Sequence, residues 1–182
     1  MIRTAPVPAR YDRRSIALHW ATALIVVALW VLGQCIDFFP KGTPRVGARS
    51  VHIVLGIALG LLILVRLRWR LGQGSKLPPA GAGALDKVAL VVHKMLYLLL
   101  VATVLLGLLN AIKRGDNLFG IVSFPTFAPD DRALRETIEN LHALSANLLL
   151  GLAGLHAVAA LYHHLVLKDG VLARMMPAPG RR

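Results

Sequence analysis

The chain contains a single cysteine, Cys35. One thiol supports neither an internal disulfide framework nor a thiolate metal centre, so Cys35 reads as a small apolar side chain near a helix end. Acidic residues are also scarce, nine Asp and Glu against 21 Lys and Arg, and the formal net charge is +12. None of those carboxylates lies in the four long apolar blocks Ile16–Gly33, Val51–Val65, Val88–Ile112 and Leu141–Leu167. Despite the positive charge, no basic run interleaves with aromatics and no nucleic-acid motif is present, which argues against nucleic acid as partner. There is no internal repeat, no iron–sulfur motif and no soluble catalytic domain.

What the chain has is apolar length. It is 56% hydrophobic, with mean hydropathy +0.62, well above a soluble norm. Most blocks approach the roughly 20 residues a helix needs to cross the hydrocarbon core. Val51–Val65 is the shortest, and Arg66 and Arg68 are expected to extend it by snorkelling. The reading is all-α: an integral membrane four-helix bundle in one domain over residues 1–182. The N-terminal run is too long for a signal-peptide core and no small-x-small site follows it, so it is taken as helix one.

Four helices place both termini on one side. Lys and Arg favour Met1–Ser15, Arg66–Lys87 and Lys168–Arg182 over Gln34–Ser50 and Lys113–Asn140, so both termini are expected to be cytoplasmic. Arg3, Arg181 and Arg182 contribute to that bias. Basic residues sit at the ends of the apolar blocks, where they set topology and meet anionic lipid. GQGSKLPPAGAGALD reads as an inner loop, and MMPAPGRR as a frayed tail. Asp130, Asp131 and Thr137 are expected to cap a short amphipathic surface helix ahead of helix four.

Histidines interrupt the apolar blocks, and each must be satisfied. His52 and His142 open helices two and four at the outer face. His19 and His93 lie one and two turns from the inner face. His156 follows His142 by fourteen residues, roughly 21 Å along the helix and within roughly 40° of the same direction. His163 continues that stripe, whereas His164 points away. Depth pairs His142 with His52, and His156 with His19 or His93. Two opposed imidazoles at one level of a bundle suit a bis-histidine b-type haem. Gly56, Gly60, Gly151 and Gly154 would admit a flat macrocycle, or serve close packing. Zinc is disfavoured because it takes a tight cluster of three or four ligands. A cofactor-free proton relay is disfavoured by the lack of carboxylates in the blocks.

The segments IALHW, DFFPKG, VHIVLGI, VVHKMLYLLL, KRGDN and GLHAVAALYHHLVLKDGVLARMMP resemble the bacterial cytochrome b561 family, and within it the superoxide oxidase type. The resemblance spans nearly the whole chain. It implies an inner-membrane protein with two haem b, His52 and His142 holding the outer one and His19 and His156 the inner one. It further implies an oxidoreductase passing electrons from superoxide at the periplasmic face to ubiquinone. The alternative is a non-enzymatic electron carrier, or the membrane anchor of a complex with a redox partner protein. A basic rim at the outer face would concentrate superoxide, and Lys113 and Arg114, among Lys41, Arg45 and Arg49, are the candidates. Quinone reduction consumes protons, and His163 and His93 are candidates to bind quinone and relay them.

Overall fold

The computed structural model describes residues 10–78 and 84–177. Arg3, Arg181, Arg182, the centre of the GQGSKLPPAGAGALD loop and the last residues of MMPAPGRR lie outside them. Four helices run up and down in sequence: α1 (Arg13–Cys35), α2 (Thr43–Leu71), α3 (Ala84–Arg114) and α4 (Arg132–Tyr162). All four are long and apolar enough to span a membrane. α3 packs most extensively on α4, and α1 on α2.

The bundle has a terminal end and a hairpin end. At the terminal end, Asp12 caps α1: Oδ1 accepts from the Ser15 amide (2.9 Å) and Oδ2 from the Ser15 hydroxyl (2.7 Å), satisfying donors that helix geometry leaves free. The same carboxylate accepts from Trp69 Nε1 on α2 and from the Ser75 amide. The C-terminal segment returns across this end, where the Tyr11 amide donates to the Arg174 carbonyl and Arg10 to the Pro177 carbonyl. The beginning of the expected frayed tail, through Pro177, is therefore docked.

At the hairpin end, α3 and α4 are joined through two short antiparallel strands, β1 (Asn117–Leu118) and β2 (Val122–Ser123). Their turn has positive φ at both Phe119 and Gly120, the sense that matches a hairpin's twist. Ser50, fully buried in α2, donates to the Val46 carbonyl and accepts from the Phe119 amide, which pins the turn to the bundle.

Two boundaries differ from expectation. α2 starts at Thr43, eight residues before its apolar block, with Pro44 in the first turn, where its fixed φ suits a helix start. The separate surface helix is absent. Asp131 caps α4 itself by accepting from the Leu134 amide, and Thr137 lies inside α4, donating to the Ala133 carbonyl. Helical hydrogen bonding simply continues from the cap into the apolar block.

The core is a middle layer of Leu29, Leu59, Ile63, Leu100 and Leu149, drawn from all four helices. Leu149 lies seven residues from both His142 and His156, so the layer separates two histidine levels. Side chains such as Leu24, Leu61, Leu105 and Leu155 stay exposed on the outside, where lipid is as apolar as they are. Association then rests on packing and interhelical hydrogen bonds, including Trp30 to Asn147 (2.8 Å) and Thr103 to Ser145 (3.1 Å).

Candidate functional site

At the hairpin-end level, α2 and α4 bring His52 and His142 together with ring centroids 6.2 Å apart. His142 Nδ1 donates to the Thr103 carbonyl of α3 at 3.0 Å. That bond puts the proton on Nδ1 and leaves Nε2 its lone pair. His52 Nδ1 is buried and has no hydrogen-bond partner among the described residues. Both rings lie against glycine. A Cβ on Gly107 would sit 2.8 Å from His142 Cε1, and one on Gly33 would sit 3.3 Å from His52 Cε1.

At the terminal-end level, His156 of α4 lies between His19 of α1 and His93 of α3. Its ring centroid is 6.4 Å from that of His19 and 5.2 Å from that of His93. Arg66 Nη2 of α2 donates to His19 Nδ1 at 2.9 Å. Arg66 thus turns into the bundle instead of snorkelling outward, while Arg68 stays exposed.

The donor sets can be tested against a bis-histidine metal. Two opposed imidazoles, each about 2 Å from a metal through one nitrogen, have ring centroids roughly 6.3 Å apart. His52–His142 and His19–His156 both match that spacing, and His93–His156 is shorter. Among the described residues, no group of three or more His, Cys, Asp or Glu is arranged around a single metal position. Two pairs of nitrogen donors, each between facing helices, fit two bis-histidine haems.

The expected glycines behave unevenly. Gly56, Gly151 and Gly154 have open space where a Cβ would be, whereas Gly60 packs on Val104 at 3.1 Å, the close-packing use. Gly33 and Gly107 were not singled out from sequence. Each serves a histidine on another helix, a relation that no spacing along one helix carries.

The cationic rim is largely spoken for. Lys113 is buried, 3% exposed, and Nζ donates to the Phe127 carbonyl at 3.2 Å and to the Ala128 carbonyl. It clamps the loop before α4 and is held away from solvent. Arg114 pairs with Asp116 and Glu139, and Arg49 with Asp116. Arg49 and Glu139 lie one turn beyond His52 and His142, so this network roofs the hairpin-end pair. Burial pushes the Asp116 carboxyl above its ordinary range, against the opposing pull of Arg114 and Arg49. Arg45 pairs with Asp37, and Lys41 is exposed.

Of the quinone candidates, His93 is exposed on α3. His163 begins a π-helical turn, His163–Leu167, that continues α4, and its Nδ1 contacts Asp169 Oδ2. Slight burial raises the Asp169 pKa, but hydrogen bonds from His163 and from the Val171 amide outweigh it and hold the carboxyl below its usual range. Asp169 was not anticipated from sequence, although it lies only six residues on in HHLVLKD. His164 is exposed.

Residues 10–178 match the sequence pattern of the family described as prokaryotic cytochrome b561. The chain is 34% identical over 173 residues to cytochrome b561 homolog 1 of Escherichia coli, covering 92% of this chain and 97% of the relative. It is 32% identical over 171 residues to a probable superoxide oxidase of Yersinia pestis, covering 92% and 96%. To cytochrome b562 of Cereibacter sphaeroides it is 33% identical over 171 residues, covering 91% and 94%. Long apolar helices, inward histidines and these relatives converge: the chain belongs to the prokaryotic cytochrome b561 family, multi-pass electron-transfer proteins of the bacterial inner membrane that carry b-type haem.

Proposed function

We propose that the protein is a dihaem cytochrome that moves electrons across the membrane from superoxide to ubiquinone. The carrying observation is the pair of histidine couples, spaced 6.2 and 6.4 Å, at two levels of one helix. His52 with His142, and His19 with His156, would each hold one haem b, which supplies one-electron chemistry when bound. The hairpin end is read as periplasmic and the terminal end, with both termini, as cytoplasmic. Superoxide as donor is supported by the printed name of the Yersinia relative.

The chain's own groups divide the work. Thr103 fixes the His142 tautomer, and Gly33 and Gly107 let both hairpin-end rings seat. The apolar core layer around Leu149 stands between the two levels. Oxidising superoxide to dioxygen releases one electron and no proton. Reducing a quinone to quinol takes two electrons and two protons. His93, exposed toward lipid beside His156, is positioned to meet a quinone carbonyl. The His163–Asp169 couple, at the water boundary, supplies a proton acceptor and donor.

A second reading is favoured by one observation. The hairpin-end segments 34–50 and 113–140 carry seven Lys and Arg against six Asp and Glu, and Arg45, Arg49 and Arg114 among them are ion-paired. Such an end draws a small anion weakly, which suits a carrier or a membrane-anchor subunit receiving electrons from a partner protein. Stopped-flow mixing with superoxide decides between them. Haem reduction by superoxide followed by quinone-dependent reoxidation supports the first reading, and no reduction by superoxide leaves the second.

A further inference from the structure

Arg66 carries a permanent charge inside the bundle and, among the described residues, meets no carboxylate. Its polar contact is His19 Nδ1 at 2.9 Å, and its guanidinium lies over the Tyr97 ring at 5.3 Å. The Tyr97 hydroxyl beside it is buried and, among the described residues, makes no hydrogen bond of normal geometry. Arg66 and Tyr97 line a cavity of about 20 Å³ at the terminal end, together with Ser15 and Trp69. A membrane-embedded cation is costly unless an opposite charge answers it.

The contact with His19 cannot be the whole of Arg66's role. A guanidinium only donates hydrogen bonds. A neutral imidazole that accepts at Nδ1 carries its proton on Nε2 and has no lone pair left for a metal. A liganding His19 and an Arg66 committed to Nδ1 therefore exclude each other. With His19 as ligand, the guanidinium requires another acceptor, and a desolvated cation favours an anion.

We propose that this acceptor is a propionate carboxylate of the haem held by His19 and His156, bound by the Arg66 guanidinium with the Tyr97 hydroxyl as second donor. The proposal rests on the dihaem reading. It gives Arg66 a function beyond anchoring. A positive charge in a low-dielectric interior stabilises an added electron nearby, so Arg66 favours the electron at the terminal-end level and biases transfer away from the hairpin end, where Arg49 and Arg114 are paired with Asp116 and Glu139.

The test is an optical redox titration of purified haem-loaded protein, comparing wild type with Arg66→Met, Arg66→Lys and Tyr97→Phe. The haem content of wild type is measured first, and fewer than two haems would sink the dihaem reading itself, separately from this inference. Arg66→Met is expected to lower the midpoint of one haem, the one lost in His156→Ala, and to leave the other unchanged. Arg66→Lys should recover part of the shift, and Tyr97→Phe should give a smaller shift of the same sign. Protein loaded with haem carbon-13-labelled at the propionate carboxylates gives a second readout. Its redox-difference infrared carboxylate band is expected to move in Arg66→Met. Unchanged midpoints overturn the proposal. So does a lowered midpoint with an unmoved labelled band, which would assign the acceptor to another anion such as a lipid phosphate. If Arg66→Met does not accumulate with haem, Arg66→Lys and Tyr97→Phe decide, and wild-type midpoints and bands in both overturn it.

Discussion

The two histidine levels are built differently. At the hairpin end, two imidazoles face each other, each lies against a glycine on a further helix, and a network of Arg49, Asp116, Arg114 and Glu139 roofs them. At the terminal end, three imidazoles share the level with an arginine that has no carboxylate partner among the described residues, and His93 is exposed on the outside. Charge follows the same division. The hairpin-end segments nearly cancel, seven cations against six carboxylates, whereas the rest of the chain holds fourteen cations against three. One level is arranged to fix geometry, and the other leaves titratable and charged groups available. That suits electron arrival at the first and coupled electron and proton delivery at the second.

Removing one ligand tests this division most strongly. His142→Ala is expected to eliminate one haem and His156→Ala the other, so each variant retains about half the haem b with a different residual spectrum. Identical residual spectra would merge the two levels into one site.

Smaller in effect is Gly107→Ala, which puts a methyl 2.8 Å from His142 Cε1. Overpacking of this kind costs about 1–3 kcal/mol, and the hairpin-end haem should be lost first on heating. Gly151→Ala, into open space, should behave as wild type. If the two alanine variants retain haem equally, the glycine cradle has no role.

Lys113→Met leaves the Phe127 carbonyl without its donor and the Ala128 carbonyl with the Asp131 amide alone, a cost of about 1.5–3 kcal/mol for a hydrogen bond from a charged donor. Hydrogen exchange should quicken across residues 115–128 and stay unchanged near His163. A true steering role would instead weaken the salt dependence of superoxide consumption and leave loop protection intact. His163→Ala probes the opposite end: haem content should persist while quinone reduction falls, and full quinone activity would remove His163 from that role.

The subtlest contrast is with pH. Asp12 lies below its model-compound value of 3.8: slight burial raises it, but bonds from Ser15, Ser75 and Trp69 outweigh that. Asp169 is also lowered from 3.8. Their stabilising contributions are present above 3.8 and are lost as pH falls through the lowered values. Asp116 is raised above 3.8 by burial, so its contribution is complete below 3.8 and is lost as pH rises through the raised value. Acid should therefore loosen the α1 cap while sparing the hairpin roof, as read by hydrogen exchange at residues 13–16 and 115–118. Asp12→Asn should abolish the first trend, and Asp116→Asn should abolish the opposite limb. The same pH response at both ends would contradict the assignment of these shifts.

How much was legible beforehand follows from which interactions lie along one helix. The four spans, the common face of His142 and His156 and the pairing of levels follow from periodicity and depth, which local sequence carries. The apolar block of α2 begins only at Val51 because Thr43–Ser50 is polar, although its Pro44 start and the Ser50 anchor make that segment helical. Lys113 looked like a free charge because the carbonyls that hold it belong to a loop some fourteen residues on. The small hairpin at 117–123 leaves no alternating pattern in the sequence because its strands are two residues long.

By itself, the sequence determined a membrane bundle with two levels of imidazole, because apolar length and helical period are properties of single segments. Tertiary structure alone decided that Arg66 points inward to His19, that Gly33 and Gly107 make room for histidines on neighbouring helices, that Lys113 is a clamp and that Asp116 joins two arginines. Each of these depends on the rotation of one helix against another, and that rotation is set by packing across the bundle, not by any residue's immediate neighbours in the chain.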